Sequence, residues 1–162
     1  MPLVGESQAL TVRRLSAHEP GLAFLIRLSD EYMAGLYPPD SNYLESLAAL
    51  AEPNVAVFGG YAGSALAGCV AVKLLDDGRR YAEIKRLFVL AEHRSKGLAK
   101  LLMSHAEGYV IDAGVSVVRL ETGVKQPEAL ALYEALGYSV RGAFGVYGAH
   151  PLSVFMEKRL GA

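Results

Sequence analysis

The sequence predicts an α/β fold in which a mixed, mostly antiparallel sheet is flanked by helices, with residues 1–162 forming a single domain. Three observations support this prediction. The chain has 162 residues, which is the size of one ordinary domain. Hydrophobic residues make up 52% of it and charged residues 20%, so a packed core is possible. Strand-like and helix-like segments follow one another in the order β-α-α-β-β-β-α-β-α-β-β.

These elements can be placed along the chain from their apolar spacing and from the turn residues between them. The predicted strands are Ala9–Leu15, Val55–Tyr61, Ala65–Leu75, Tyr81–Leu90, Val115–Glu121, Tyr138–Gly145 and Leu152–Leu160. The predicted helices are Pro20–Gly35, Ser41–Ala51, Gly97–Ala113 and one that starts at Pro127 and ends at Gly137.

In the first half of the chain, proline and glycine set the boundaries. The first helix has Leu22, Leu25 and Ile26 near helical spacing, and the prolines of LYPPD end it because proline cannot continue a helix. The segment Pro53–Val72 is free of charge and long enough to span a bilayer. Its four glycines instead favour two strands joined by a turn.

The second half alternates strands and helices. A hairpin turn is expected at Asp76-Asp77-Gly78. The third helix is amphipathic and is followed by Gly114, which suits a helix C-terminus. Its predicted apolar face comprises Leu98, Leu101, Leu102, His105, Tyr109 and Ala113. The strand–helix–strand unit Tyr81–Glu121 predicts a right-handed crossover whose two strands run parallel or splay apart.

Composition excludes several classes of function. Sixteen Lys and Arg against seventeen Asp and Glu give a net charge of −1, which argues against a general nucleic-acid binder. The single cysteine, Cys69, excludes an intrachain disulfide, and with four scattered histidines it indicates no metal site. The N-terminus has no basic region before an apolar stretch, so no secretory signal is predicted. A reducing, cytoplasmic location and no membrane partner are expected.

One loop has the properties of an anion site. Arg94-Ser95-Lys96-Gly97-Leu98-Ala99 joins a predicted strand to the start of a helix, where unpaired amide groups and the helix dipole favour negative charge. Gly97 and Ala99 lack bulk, and Lys100 adds a further positive charge. This combination suits a pyrophosphate. Taken alone, the same residues also fit an ordinary helix start with solvated basic side chains.

The surrounding sequence resembles a known family. The segments YAEIKRLFVLAEHRSKGLAKLLM (81–103) and LETGVKQPEALALYEALGY (120–138) resemble the GNAT superfamily of acyl-CoA N-acyltransferases. The resemblance is strongest over Tyr81–Tyr138, and the order of elements extends it to the whole chain. The tail FGVYGAHPLSVFMEK (144–158) is similar to a bacterial branch with a PFG-x-Y…P-x-SVFM ending.

The resemblance implies acetyl-CoA as co-substrate, with no metal. In this family the R/Q-x-x-G-x-G/A loop binds the coenzyme A pyrophosphate, and pantetheine bonds to free backbone groups where two strands splay at a β-bulge. The implied cofactor-binding residues are Leu87, Phe88, Val89, Arg94, Ser95, Lys96, Gly97, Leu98, Ala99, Lys100, Gln126 and Tyr133.

Three residues would carry the chemistry if the resemblance holds. The Leu87 amide occupies the family position that meets the thioester oxygen, on which negative charge develops. Tyr133, in A-x-x-L-Y-x-x-x-G-Y, would protonate the departing thiolate. Glu83 would activate the amine, directly or through water, although a strand glutamate can also simply pair with Lys85 or Arg86. For Tyr133 the alternative is a core tyrosine.

The acceptor pocket is expected where the family builds it, in the loop after the first helix and the loop between the last two strands. The candidate substrate-binding residues are Tyr32, Tyr37, Asn42, Tyr147 and Ser153. Nearby Asp30, Glu31 and Asp40 would favour a cationic acceptor. His150, before a proline, fits a turn better than catalysis, and Cys69 fits a packed strand.

The predicted function is N-acetyl transfer from acetyl-CoA to a primary amine of a small molecule, by direct attack in a ternary complex. Two alternatives remain open: a non-catalytic acyl-CoA sensor, and an acetyltransferase for protein N-termini or lysines. A homodimer is a family-based expectation.

Overall fold

The computed structural model describes residues 8–39 and 46–161. Within these residues the strands are β1 Leu10–Leu15, β2 Val55–Ala62, β3 Ala65–Asp76, β4 Arg80–Val89, β5 Val117–Gly123, β6 Ser139–Arg141 and β7 Ser153–Arg159. The α-helices are α1 Leu22–Ala34, α2 Leu98–Asp112 and α3 Pro127–Ala135. Single turns of 3-10 helix occur at Ala49–Ala51 and Ala91–His93.

The seven strands found in the described residues form one sheet in the order β1-β2-β3-β4-β5-β7-β6. All neighbouring pairs are antiparallel except β4 and β5, which run parallel across the α2 crossover. The β4–β5 register covers Ala82, Glu83 and Ile84 opposite residues 118–120, and then stops. This confirms the mixed sheet and the splayed pair, and it opens a gap between two central strands.

Helix α2 covers one face of the sheet. It buries Leu98, Leu102, Met103, Ala106 and Val110, which pack with the inward residues of β2 to β5. The predicted apolar face is therefore confirmed at Leu98 and Leu102, but its centre is rotated by about a third of a turn from the one observed. The predicted residues Leu101 and Tyr109 are only partly buried, and His105 is exposed. With so few charges on this helix, several apolar stripes compete, and packing against the sheet selects one of them.

Helix α1 covers the opposite face. It buries Leu22, Leu25 and Ile26 against inward residues of β2 and β3, as its spacing predicted. It also buries Ser29, and it leaves Tyr32 40% exposed. Burying a serine on an apolar face requires a polar partner on the sheet, and β4 supplies one, as described below.

Two predicted elements differ from the structure. Within the described part of the predicted helix Ser41–Ala51, residues 49–51 form a single 3-10 turn, and residues 41–45 lie outside the described range. The strand predicted over Tyr138–Gly145 is confined to Ser139–Arg141. It ends early because Phe144 turns inward to pack edge-on against Tyr81 and Phe155.

The uncharged segment Pro53–Val72 lies in β2 and β3, which confirms its prediction as two strands. Among the described residues, no helix is long and apolar enough to cross a membrane.

Candidate active site

A β-bulge in β4 bends this strand away from β5. Cys69 pairs with Phe88 and Ala71 pairs with Lys85, so Arg86 and Leu87 together face the single intervening residue of β3. Arg86 has φ 57°, an uncommon conformation for a residue with a side chain. The bulge therefore accounts for the end of the β4–β5 register after Ile84.

Buried polar contacts hold the bulge. The Arg86 guanidinium is 2.7 Å from Asp30 Oδ1 and donates to Ser29 Oγ at 3.2 Å, both on α1. The Arg86 carbonyl lies 3.4 Å from Cys69 Sγ. Burial raises the pKa of the Cys69 thiol to about 12, which agrees with its prediction as a packed, unreactive residue. Asp30 was expected to attract a cationic acceptor, but its carboxylate is paired with Arg86.

A cavity of about 80 Å³ lies where β4 and β5 separate. It brings together most of the predicted chemistry with several residues that sequence reasoning missed. The predicted residues that line it are Glu83, Leu87, Gln126, Tyr133, Tyr37 and Tyr147. The missed ones include Ser29, Lys85, Arg86, Glu121 and Thr122.

Glu83 is buried and forms part of a short polar network. The Tyr147 hydroxyl donates a hydrogen bond to Glu83 Oε2. The Lys85 ammonium is 3.5 Å from the same oxygen and donates to the Tyr147 hydroxyl at 2.7 Å. The ion pair with Lys85 that the sequence left open is therefore present. It lies inside the cavity, so it does not exclude a catalytic role.

Glu121 is the second carboxylate of the cavity. It lies on β5 one residue past the last β4–β5 pair, so it borders the gap on that side while it stays paired with Phe155 of β7 on the other. Burial raises the pKa of Glu121 to about 7, with the neighbouring Glu83 charge adding to this and Lys85 opposing it. The sequence did contain a signal. In VVRLETG the glutamate interrupts an apolar strand at its C-terminal end, where ligand sites of open sheets are found.

Tyr133 projects from α3 to the same cavity and is 7% exposed. Its ring packs edge-on against Tyr138, with centroids 5.9 Å apart. Burial, together with the Glu121 charge, raises the pKa of Tyr133 well above its ordinary value. The phenol therefore stays protonated and can donate a hydrogen bond. Both interpretations of this residue apply, because it is a packed tyrosine whose hydroxyl lies at a polar cavity.

Tyr37 and Gln126 form another side of the cavity. The Tyr37 hydroxyl donates to Gln126 Oε1 at 3.2 Å and accepts from the Lys125 amide at 3.1 Å. Any side chain at Gly123 would collide with this phenol, so the glycine is needed for the close approach. In this arrangement the side-chain oxygen of Gln126 is already engaged by Tyr37.

The other predicted substrate residues are more scattered. Tyr32 is exposed and lies outside the cavity. The Arg94 guanidinium is 5.5 Å from the centroid of the Tyr32 ring. Ser153 begins β7 opposite Gly123, with its buried hydroxyl beside the Glu121 carboxylate. Asn42 lies outside the described residues. His150 accepts a hydrogen bond from the Leu152 amide through Nδ1 at 3.1 Å, as expected of a turn residue.

The loop before α2 has the backbone of an anion site. Ser95 and Gly97 have φ 62° and 89°, and a β-carbon at Gly97 would meet no atom within 4 Å. The first bond of the helix runs from the Leu101 amide to the Gly97 carbonyl at 3.1 Å. The amides of Leu98, Ala99 and Lys100 thus belong to the unpaired first turn. Open space above these amides suits a pyrophosphate.

The basic side chains of this loop differ in their contacts. Arg94 donates from Nε to the Val89 carbonyl at 3.0 Å and lies 5.8 Å from the Phe88 ring centroid, so it is directed back towards β4. Lys96 and Lys100 are exposed. In the described part of the chain, no cluster of three or more histidine, cysteine, aspartate or glutamate residues could hold a metal ion.

Comparison with known proteins gives a consistent result. The acetyltransferase (GNAT) family matches residues 22–138. A protein of Azospirillum brasilense named IAA acetyltransferase is 38% identical over 151 residues, covering 93% of this chain and 98% of its own length. A crystal structure from Klebsiella pneumoniae, assigned to the acyl-CoA N-acyltransferases, superposes with a TM-score of 0.78 at 29% identity, covering 94% and 98% of the two chains.

The fold is also that of the PaiA N-acetyltransferase of Thermoplasma acidophilum, solved in complex with coenzyme A. That structure superposes with a TM-score of 0.71 at 22% identity, covering 94% of this chain and 99% of its own.

Proposed function

This chain belongs to the acetyltransferase (GNAT) family, an acyl-CoA-dependent group of transferases, and we propose that it moves an acetyl group from acetyl-CoA to a primary amine of a small molecule. The reaction is a direct attack of the amine on the thioester within a ternary complex. The observation that carries the proposal is the cavity between β4 and β5, where two carboxylates and a buried phenol meet.

Two parts of the chain suit coenzyme A. The amides after Gly97 and the open space above them fit the pyrophosphate. The backbone of Leu87, Phe88 and Val89 follows the bulge on the side that β5 has left, so its free groups suit the amides of pantetheine. Bound in this way, acetyl-CoA supplies an activated acyl carbon at the cavity.

The small volume of the cavity favours a small acceptor over a protein chain. A cavity of about 80 Å³ suits an amino group and the carbon atoms next to it. Glu83 and Glu121 line this cavity together with Lys85 and Arg86. A carboxylate is therefore at hand to take a proton from an amine, which arrives as an ammonium near neutral pH. Tyr37 and Tyr147 are positioned to orient it.

The chemistry follows from the positions of three groups. The Glu83 carboxylate, or a water that it holds, accepts the first proton from the ammonium. The Leu87 amide donates a hydrogen bond to the oxygen of the tetrahedral intermediate. The Tyr133 hydroxyl protonates the sulfur as the C–S bond breaks, which its protonated state permits.

An amine screen tests the proposal. The purified chain is incubated with acetyl-CoA and a panel of small primary amines, and both free thiol and acetylated product are measured. We expect turnover with at least one cationic small amine. Glu83→Gln should lower it about a hundredfold, in the range of general base catalysis, whereas the exposed surface variant Glu128→Gln should match the parent.

Two other outcomes would replace the proposal. Binding of acetyl-CoA without transfer to any amine or protein would support the acyl-CoA sensor. Transfer to peptide N-termini or lysines but to no small amine would support a protein acetyltransferase.

A further inference from the structure

We propose that Arg86 is a positioning residue for acyl transfer. Ser29 and Asp30 of α1 hold its guanidinium, and this contact fixes the β4 bulge so that the Leu87 amide is directed at the thioester oxygen. The inference rests on the proposed function, because that function supplies the oxygen for the amide to meet. The Leu87 amide donates the hydrogen bond, and Arg86 acts through it from the preceding position in the bulge.

The backbone of Arg86 has a conformation that glycine usually provides. Its φ is 57°, a value that is uncommon for residues with a side chain. The peptide unit between Arg86 and Leu87 is planar, so the direction of the Leu87 N–H depends on the backbone angles of Arg86. A return of Arg86 to an extended conformation would alter the bulge and rotate this amide. The direction of the amide therefore requires that the left-handed conformation be held.

The Arg86 side chain supplies part of that constraint. It is 3% exposed, and its guanidinium contacts Asp30 Oδ1 at 2.7 Å and Ser29 Oγ at 3.2 Å. Separating a buried charge from its partners is costly, so the guanidinium stays with these two groups. The Arg86 carbonyl is held as well, because it accepts a hydrogen bond from Cys69 Sγ at 3.4 Å. Contacts at the side chain and at the carbonyl together keep the residue in a conformation that it would otherwise leave.

The same helix is attached to the other wall of the cavity. Tyr37 follows α1, and its amide donates to the Met33 carbonyl in the last turn of the helix at 2.9 Å. The Tyr37 hydroxyl contacts Gln126 and the Lys125 amide beyond the end of β5. Helix α1 is thus connected to β4 through Arg86 and to the β5–α3 turn through Tyr37. Because it is attached on both sides, it sets the width of the gap that receives the thioester.

A positioning role predicts an effect on kcat and little effect on acetyl-CoA binding. Phe88 and Val89 pair with β3 beyond the bulge, so the backbone expected to bind pantetheine does not depend on the Arg86 side chain. An oxyanion donor, in contrast, stabilises charge that develops only in the transition state. A displaced donor therefore slows the reaction without weakening the complex that precedes it.

A double-mutant cycle tests the connection from α1 to the bulge. Arg86→Gly keeps the positive φ accessible but removes the guanidinium, and it should lower kcat about a hundredfold. Asp30→Ala removes one partner and should lower kcat about tenfold in the parent. Because Asp30 acts only through Arg86, the same substitution should change kcat less than about twofold in the Arg86→Gly background. A tenfold loss in both backgrounds would overturn the inference.

Controls separate positioning from loss of the fold or of cofactor binding. Circular dichroism identifies the folded variants, and kcat is compared among these alone. Calorimetry should give a Kd for acetyl-CoA within about threefold of the parent value in each of them. Asp112→Ala removes an exposed aspartate from α2 and should match the parent in kcat and in Kd. A Kd that rises as much as kcat falls in Arg86→Gly would assign Arg86 to cofactor binding and contradict the positioning role.

Two milder variants provide the test if Arg86→Gly does not fold. Ser29→Ala and Asp30→Asn each weaken one contact of the guanidinium and leave the rest of the side chain in place. The Asp30 side chain is half exposed, so its substitution is compatible with the fold. Both variants should lower kcat with an unchanged Kd for acetyl-CoA. Parent values of kcat in both would overturn the inference.

A measurement without turnover separates this inference from the proposed function. With ¹⁵N-labelled leucine, the amide signal of Leu87 should shift in Asp30→Ala and should keep its position in Asp112→Ala. If no amine is acetylated but this shift is present, the proposed reaction fails while the link from α1 to Leu87 stands. If amines are acetylated and the Leu87 signal does not respond to Asp30→Ala, the positioning role is wrong.

Discussion

Two glutamates on neighbouring strands of the same sheet face have opposite electrostatic environments. Glu157 on β7 pairs with Arg119 at 2.9 Å and with Arg141 at 2.6 Å. Burial acts to raise its pKa, but these hydrogen bonds outweigh it, so the pKa of Glu157 lies below its ordinary value. Glu121, two residues beyond Arg119 on β5, has no such partner, and burial raises its pKa to about 7.

The difference comes from where β4 and β5 pair. Arg119 lies opposite Glu83 within the paired region, and it also binds Asp77 at 3.0 Å and stacks 4.4 Å from the Tyr81 ring centroid. There the close packing of strands brings Arg119, Asp77 and Glu157 together as ion pairs. One step past the pairing, the strands separate and a carboxylate is left facing a cavity. A carboxylate in a cleft whose pKa is raised by burial is a candidate functional group.

The largest expected effect concerns the phenol of the cavity. Tyr133→Phe should lower kcat by about a hundredfold to ten-thousandfold, because sulfur then leaves as an unprotonated thiolate. Acetyl-CoA affinity, measured by calorimetry, should stay the same. Tyr138→Phe removes the neighbouring phenol, which donates to Glu107 at 2.8 Å, and serves as the matched control. Equal turnover of parent and Tyr133→Phe would remove Tyr133 from the mechanism.

The next prediction concerns the effect of Glu121 on the stability of the fold. The folded-state pKa of Glu121 lies above its unfolded value of about 4.3, so its ionisation costs stability as the pH rises from about 4 to 7. Glu121→Gln should therefore raise the free energy of unfolding by about 3 kcal/mol at pH 8 and change it little at pH 4. Denaturant titrations at both pH values measure this. A variant that is less stable than the parent at pH 8 would contradict it.

Replacing Arg119 should change the free energy of unfolding with the opposite sign. Because Glu157 has a lowered pKa, its ion pairs stabilise the fold above the unfolded pKa and are lost as the pH falls. Arg119→Met should lower the free energy of unfolding by about 2 kcal/mol at pH 7, and the loss should shrink below about pH 4. Turnover at saturating substrates should remain within about twofold. A hundredfold loss of turnover in folded Arg119→Met would show that the paired region of β4 and β5 also takes part in catalysis.

The smallest expected effect concerns the coenzyme A loop. If the cavity carries the chemistry and the loop carries binding, Gly97→Asp should raise the Kd for acetyl-CoA about tenfold or more, since a carboxylate would meet the pyrophosphate. Asparagine has nearly the same shape as aspartate but no charge, and it tolerates the positive φ of 89° better than most residues. The variant Gly97→Asn therefore isolates the effect of the negative charge. Equal affinities of the two variants, measured by calorimetry, would show that charge at this position is not important.

Much of the fold followed from local patterns. Gly97 and Gly114 bracket α2, and Pro127 starts α3, because backbone conformation at these positions depends mainly on the residue itself. The buried face of α2 was predicted correctly only in part, at Leu98 and Leu102, since apolar residues lie on more than one side of the helix. Residues 144–147 were predicted partly as strand, but the inward turn of Phe144 depends on aromatic partners that are distant in sequence.

The candidate site was also predicted from the sequence only in part. The family resemblance directed attention to Glu83, Leu87 and Tyr133, and all three line one cavity. Their catalytic roles stay predictions. Glu121 was missed because its significance depends on the absence of a neighbour. The sequence shows which residue follows Leu120, but not that β4 has already turned away.

By itself, the sequence determined the order of β1 to β7 and α1 to α3, the glycine-containing loop before α2 and the family resemblance, since each depends on residues that are close together in the chain. Only the tertiary structure decided which charges are paired. Arg119 and Glu121 lie two residues apart on the same face of β5. A bulge at Arg86 on β4 gives them different electrostatic environments. A pKa depends on burial and on the distance to other charges, and those are set where strands meet or part.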